Sequence, residues 1–209
     1  MSEDDALSVL ARSGTATIGE VNGATKILDQ AIRPLERGTA VCGRAFTVRC
    51  TPGDNLAIHH AVPLLSPGDI LVVDYGGSLR SGPFGEVLAV ACQSSGAVGL
   101  VIDGAVRDAA ALAVRRFPVM CRGLAIPGTT KNDPGVIGQP VVVGGVKVEP
   151  GDVVVADDDA VVSFPAADLL ETAAKAATRV AYERDVMARL ECGETTSEIL
   201  GLAKAENAT

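Results

Sequence analysis

Apolar runs alternate with helix-like segments through the first 120 residues, and turn-bounded valine runs follow. Ala40 to Cys50 alternates as a strand does and is closed by Thr51-Pro52-Gly53. Asp54 is placed to cap a helix from Asn55 to Leu65, and Ser66-Pro67-Gly68-Asp69 turns the chain into a buried strand, Ile70 to Asp74. A glycine-rich loop, Gly76 to Gly85, leads to a helix from Glu86 to Gln93, ended by Gly96. The strand Val98 to Asp103 then stops at a glycine turn, Gly104. A helix starting near Asp108 runs to Arg116, before the short strand Pro118 to Cys121. Single helices between strands predict a parallel βαβ layer with right-handed connections.

The rhythm then changes. Val141-Val142-Val143, Val146-Lys147-Val148, Val153-Val154-Val155 and Val161-Val162 are separated by Gly144-Gly145, Pro150-Gly151-Asp152 and Asp157-Asp158-Asp159. Valine runs between such signals predict strands joined by hairpins, the triple aspartate being a solvated turn. Ala166 to Leu190 reads as a long helix with charges on one face, and Thr195 with Glu198 forms a capping box for a last short helix. At the other end, Ser2 with Asp5 starts a helix reaching Arg12, and Thr15 to Gly38 holds turns and a short helix. The expected class is α/β with mixed parallel and antiparallel strands and C-terminal helices. One domain is expected over 1–209, with a core of about 15–165 and a helical extension of about 166–206.

Composition narrows the function classes. Apolar residues make up 47% of the chain, yet there is no Trp, two Tyr and four Phe, which argues against base stacking on aromatic platforms. The formal charge of −8, with no Lys/Arg run, would repel phosphate backbones, so no nucleic-acid partner is expected. The five cysteines lack CxxC spacing and read as reduced, packed side chains. Met-Ser-Glu-Asp-Asp is no signal peptide, and no apolar run reaches the roughly 18 residues of a membrane span. A cytoplasmic protein without a membrane partner is the expectation.

Two turns carry candidate chemistry. Gly82-Pro83-Phe84-Gly85-Glu86 opens a helix whose first amides, at Val87 and Leu88, suit a carboxylate or phosphate; a plain strand-to-helix connection fits equally. It matches neither the P-loop nor the dinucleotide fingerprint. Arg107-Asp108 pairs a forked donor for a carboxylate with an oxygen ligand for Mg²⁺, although Asp108 also suits an N-cap. His59 and His60 project about 100° apart on a helix, which excludes a HExxH site and favours packing or an interface. Lys131, in a polar loop, reads as solvent-exposed or as electrostatic support.

Gly85-Glu86-Val87-Leu88-Ala89 and Gly99 through Asp108 together resemble the core of RraA-like proteins. Gly53-Asp54-Asn55, Pro67 through Asp74, Phe117-Pro118-Val119, Gly144-Gly145-Val146 and Pro150-Gly151-Asp152 match in the same order. That family includes 4-hydroxy-4-methyl-2-oxoglutarate aldolases that also decarboxylate oxaloacetate. The resemblance implies an αββα sandwich like a swivelling phosphohistidine domain, assembled as a homotrimer or a hexamer with sites between subunits. It implies a divalent metal, Mg²⁺ or Mn²⁺, at Asp108, with Arg107 on the pyruvyl part of a 2-oxo acid substrate. The amides of Val87 and Leu88, after Gly85, would hold the substrate carboxylate, with Glu86 in the metal's water shell. Some aldolases of the family carry Lys or Arg where this chain has Ala111. The resemblance also admits a non-catalytic role, binding and restraining a ribonuclease.

Overall fold

The computed structural model describes residues 1–202. Ser2 caps α1 (Glu3–Ser13) through the expected box: its Oγ accepts from Asp5 N–H, whose carboxylate accepts from Ser2 N–H. α2 (Thr15–Val21) has no cap of its own. Asp157, 142 residues on, supplies one, accepting from the Thr15 N–H and hydroxyl at 2.7 Å each. The triple aspartate is thus a clasp between distant segments, not a merely solvated turn, and Asp158 also accepts from Gly38 N–H. The two-residue strands β1 (Lys26–Ile27) and β2 (Arg33–Pro34) come next, before β3 (Val41–Arg49).

α3 (Leu56–Ala61) ends earlier than predicted. Pro63 has no N–H to continue the ladder, and the chain tightens into a single 3₁₀ turn at Val62–Leu64. β4 (Asp69–Ser78), α4 (Glu86–Ser94), β5 (Gly99–Val106), α5 (Ala109–Arg115) and β6 (Val119–Cys121) follow the alternation read from the sequence. One boundary differs. β5 does not turn at Gly104 but runs on to Val106, since Ala105 and Val106 pair with Gly123 and Leu124, and a Cβ at Gly104 would lie 2.7 Å from the Tyr75 ring. Close approach of an aromatic ring, not a turn, requires that glycine.

β7 (Gly123–Leu124), β8 (Val136–Ile137), β9 (Val141–Val143), β10 (Val146–Val148), β11 (Val153–Ala156) and β12 (Val161–Phe164) complete the strands. α6 (Leu169–Glu191) and α7 (Thr196–Leu200) close the described chain, α7 with the expected Thr195–Glu198 box. Residues 203–206 of the expected helical extension lie outside the described residues.

β3, β4, β5 and β6 pair in parallel, while β11, β12 and β1 extend the sheet beyond β3 in antiparallel fashion. The predicted mixture of parallel and antiparallel strands is therefore one continuous sheet of an α/β fold. β9 and β10 form a separate hairpin. Alternation along the strands sorts the core into two faces. Val48, Leu71, Val73, Leu100 and Ile102 meet α3, α4 and α5, and Val153, Val155, Val162 and Phe164 meet α1 and α6. Ala45, Ile70, Val72, Val101 and Val154 face the other way, onto Val141, Val143 and Val148 of the hairpin. Each fully buried Val, Leu or Ile stabilises the fold by roughly 1.5–3 kcal/mol, so these two apolar layers hold the sheet. Among the described residues no helix is long and apolar enough to cross a membrane.

Candidate functional site

The parallel strands β4 and β5 end beside the starts of α4 and α5, where α/β sheets open a crevice for ligands. A cleft of about 300 Å³ lies there. Gly85, Val87, Leu88, Arg107 and Asp108 all line it, with Asn55, His59 and Lys131. The two turns singled out in the sequence are thus brought together.

Asp108 stands at the start of α5 without capping it. Its backbone is left-handed (φ 60°, ψ 37°), and its side chain makes no bond to its own helix. Instead its Oδ2 accepts from Glu86 N–H at 3.1 Å, so it caps α4. The N-cap reading of Asp108 is corrected accordingly. Gly85 is required by this crossing, since a Cβ there would run into the Asp108 carboxylate. Gly82 is required in the same way, where a Cβ would meet the Ala125 carbonyl and Arg107.

The next two amides of α4, Val87 and Leu88, have no acceptor among the described residues, and the helix dipole adds to their pull on an anion. Arg107 is tied through its N–H to the Phe84 carbonyl at 2.9 Å, which leaves its guanidinium half exposed at the cleft, 3.8 Å from Asp108. Glu86 is the exception. Its carboxylate does not line the cleft and pairs with Arg115, Oε1 to Nη2 at 2.7 Å.

The structure gives three further lining residues a place in the cleft. Asn55, taken as a helix start, donates from Nδ2 to the Pro83 carbonyl at 2.8 Å, and its buried Oδ1 has no partner. His59, taken as packing or interface, faces the cleft. Partial burial, then Lys131, then His60, push its pKa below the ordinary histidine value. Lys131 reaches the same cleft because its loop is clamped. Asp54 accepts from Leu56 N–H, Thr130 Oγ1 and Asn132 N–H, and the Thr130 and Gly53 backbones pair. Burial alone would raise the Asp54 pKa, but these bonds outweigh it and hold it at about 2. The sequence signal for this clamp was the Asp-Asn step after Gly53, but only the fold brings Thr130 to it.

Behind the clamp, the buried Tyr75 hydroxyl accepts from Gly53 N–H at 2.6 Å and bonds Ser81 Oγ at 2.7 Å. The ring that excludes a side chain at Gly104 therefore also fixes the turn carrying Asn55. A slightly larger cleft, about 330 Å³, lies at the far end of α5 between the Leu35–Ala40 loop and Phe117, away from these groups.

No three His, Cys, Asp or Glu side chains converge as a cation cage among the described residues. The donor set at Asp108 is a single half-exposed carboxylate with Oδ2 on Glu86 N–H. That suits Mg²⁺ or Mn²⁺ with most of the shell from water and ligand oxygens, as hard cations with one protein carboxylate are held, and does not suit a structural ion.

The parallel strands thus end at a helix start with two open amides, a half-exposed carboxylate and an arginine, all on one cleft. The chain belongs to the RraA-like family, whose Aldolase/RraA pattern matches residues 5–163. It is 36% identical over 151 residues, 72% of either chain, to a Halalkalibacterium halodurans protein named as a proposed 4-hydroxy-4-methyl-2-oxoglutarate aldolase. A Streptomyces coelicolor structure, RraAS2, described as an unusual member of the RNase ES inhibitor RraA family, superposes with TM-score 0.80. It is 28% identical and covers 88% of this chain and 98% of its own. An uncharacterized Pseudomonas syringae protein shares the fold with TM-score 0.84 at 23% identity, over 93% of this chain and 92% of its own.

Proposed function

We propose that this protein is a divalent-metal-dependent lyase that releases pyruvate from a 2-oxo acid carrying a second carboxylate. Its substrates would be 4-hydroxy-4-methyl-2-oxoglutarate and its analogues, with oxaloacetate decarboxylation as a second activity. One observation carries the reading. Asp108 is held in a strained left-handed backbone, beside Arg107, at the mouth of a helix with two open amides.

Asp108 would hold the cation, which when bound supplies Lewis-acid stabilisation of enolate charge. The amides of Val87 and Leu88 bind and orient the C1 carboxylate. Arg107 donates to the 2-oxo oxygen and to the charge that gathers on it as the C3–C4 bond breaks. In decarboxylation the bonding pair moves from C3–C4 into the enolate, carbon dioxide leaves, and C3 then takes a proton. Lys131 faces the second carboxylate. In the retro-aldol direction a base must remove the C4 hydroxyl proton, and His59, kept neutral near pH 7, is the cleft group suited to accept it.

Oxaloacetate with Mg²⁺ and purified protein tests this by pyruvate release. Turnover is expected, lost with EDTA and reduced at least about 100-fold in Asp108→Ala and Arg107→Ala. If no 2-oxo diacid gives metal-dependent pyruvate, the proposal is wrong. Capture of a ribonuclease would then favour the regulator role, which the Streptomyces coelicolor relative's description supports.

A further inference from the structure

Glu86 begins α4 at the rim of the cleft, yet its carboxylate is turned away from it. Its Oε1 accepts from Arg115 Nε at 2.9 Å and from Arg115 Nη2 at 2.7 Å. Arg115 is itself fixed through its backbone, whose carbonyl accepts from Gln93 Nε2 at 3.2 Å near the other end of α4. The arginine side chain therefore runs back along α4 over about two turns, from Gln93 to Glu86. One turn before Arg115 on α5, Ala111 offers no competing charge. With Glu86 so held, the cleft presents Arg107, Lys131 and His59 against the single carboxylate of Asp108.

We infer that Arg115 is a positioning residue. It keeps the Glu86 carboxylate out of the cleft and thereby sets the balance between anion and cation binding there. The inference rests on the proposed site for a 2-oxo diacid and a divalent cation. Both partners are partly exposed, 37% and 42%, so either side chain is free to move once the other is removed. Glu86 N–H is already bonded to the Asp108 carboxylate, which places the two acidic residues side by side. A released Glu86 carboxylate makes the cleft a better cation site and a poorer dianion site. The two changes have opposite sign, a signature that general loosening of the fold does not produce.

Two readouts on the full chain test it. One is Mn²⁺ affinity without substrate, from the electron-spin resonance of free Mn²⁺. The other is the split of KM and kcat for oxaloacetate. Arg115→Met is expected to tighten Mn²⁺ and to raise KM by about three- to fivefold each, the scale of an exposed charge pair, with kcat little changed. Arg115→Lys should restore both. In a Glu86→Gln background, Arg115→Met should shift neither. Unchanged Mn²⁺ affinity and KM in Arg115→Met overturn the inference, as do shifts that persist at full size beside Glu86→Gln. Absence of Mn²⁺ binding in wild type and Arg115→Met alike also overturns it. A wild-type protein inert toward oxaloacetate sinks the catalytic proposal instead, and the Mn²⁺ series still decides the role of Arg115.

Discussion

Asp108 occupies a backbone conformation that costs an L residue about 1–2 kcal/mol, and its environment offsets this with the bond from Glu86 N–H. Asn tolerates the left-handed region and keeps an acceptor, whereas Ala does neither. Asp108→Asn should therefore unfold in urea within about 1 kcal/mol of wild type, and Asp108→Ala should lose about 1–2 kcal/mol as a lost cap does. Both should lose pyruvate release. Equal stability of the two variants would show that the carboxylate does not cap α4. The sequence supplied the Arg107-Asp108 pair and its spacing to Gly85, because those letters are local. It assigned the Asp108 cap to the wrong helix, because the choice depends on a left-handed φ that no pattern of apolar positions encodes.

At the scale of elements, distant segments are held together by carboxylates that receive backbone N–H groups. Asp157→Ala removes the acceptor for Thr15 N–H and hydroxyl and should destabilise the chain by about 1–2 kcal/mol in urea unfolding, with α2 first to lose amide-exchange protection. Protection of α2 equal to wild type would count against the clasp. Asp54 makes a pH prediction. Its folded pKa of about 2 lies below the roughly 3.9 of an unfolded aspartate. Its contribution is therefore fully present above about pH 4 and is lost as pH falls toward about 2. Asp54→Asn should flatten that acid limb of the stability curve, and an unaltered limb would place the acid sensitivity elsewhere. Capping boxes at Ser2 and Thr195 were legible because both partners lie within three residues. Clasps across 142 and 76 residues were not, since nothing local marks the partner.

Across the whole molecule, the hairpin of β9 and β10 is locked to the sheet by charge as well as by its valines. Asp103, within β5, accepts from Gly144 N–H at 2.8 Å and from Arg122, and Arg122 also pairs with Asp29 at 2.9 Å. Asp103 is buried, so removing its cation strands a charge away from water. Arg122→Met should cost about 3 kcal/mol, more than Arg122→Met adds in an Asp103→Asn background, as a double-mutant cycle would measure. Simple additivity would exclude the coupling.

The sequence by itself determined the alternation of strands and helices from β3 to β6, the mixture of parallel and antiparallel strands, and the Gly82–Glu86 loop and Arg107-Asp108 step that line the cleft. Each follows from apolar periodicity and from residues with fixed backbone preferences, which act over a few positions. Tertiary structure alone decided which groups share the cleft. Parallel pairing of β4 with β5 aligns the starts of α4 and α5, and the Asp54 clamp carries Lys131 to His59 and Asn55. It also decided that Glu86 faces Arg115, because a flexible carboxylate follows the nearest fixed cation, and that position exists only once α5 lies along α4.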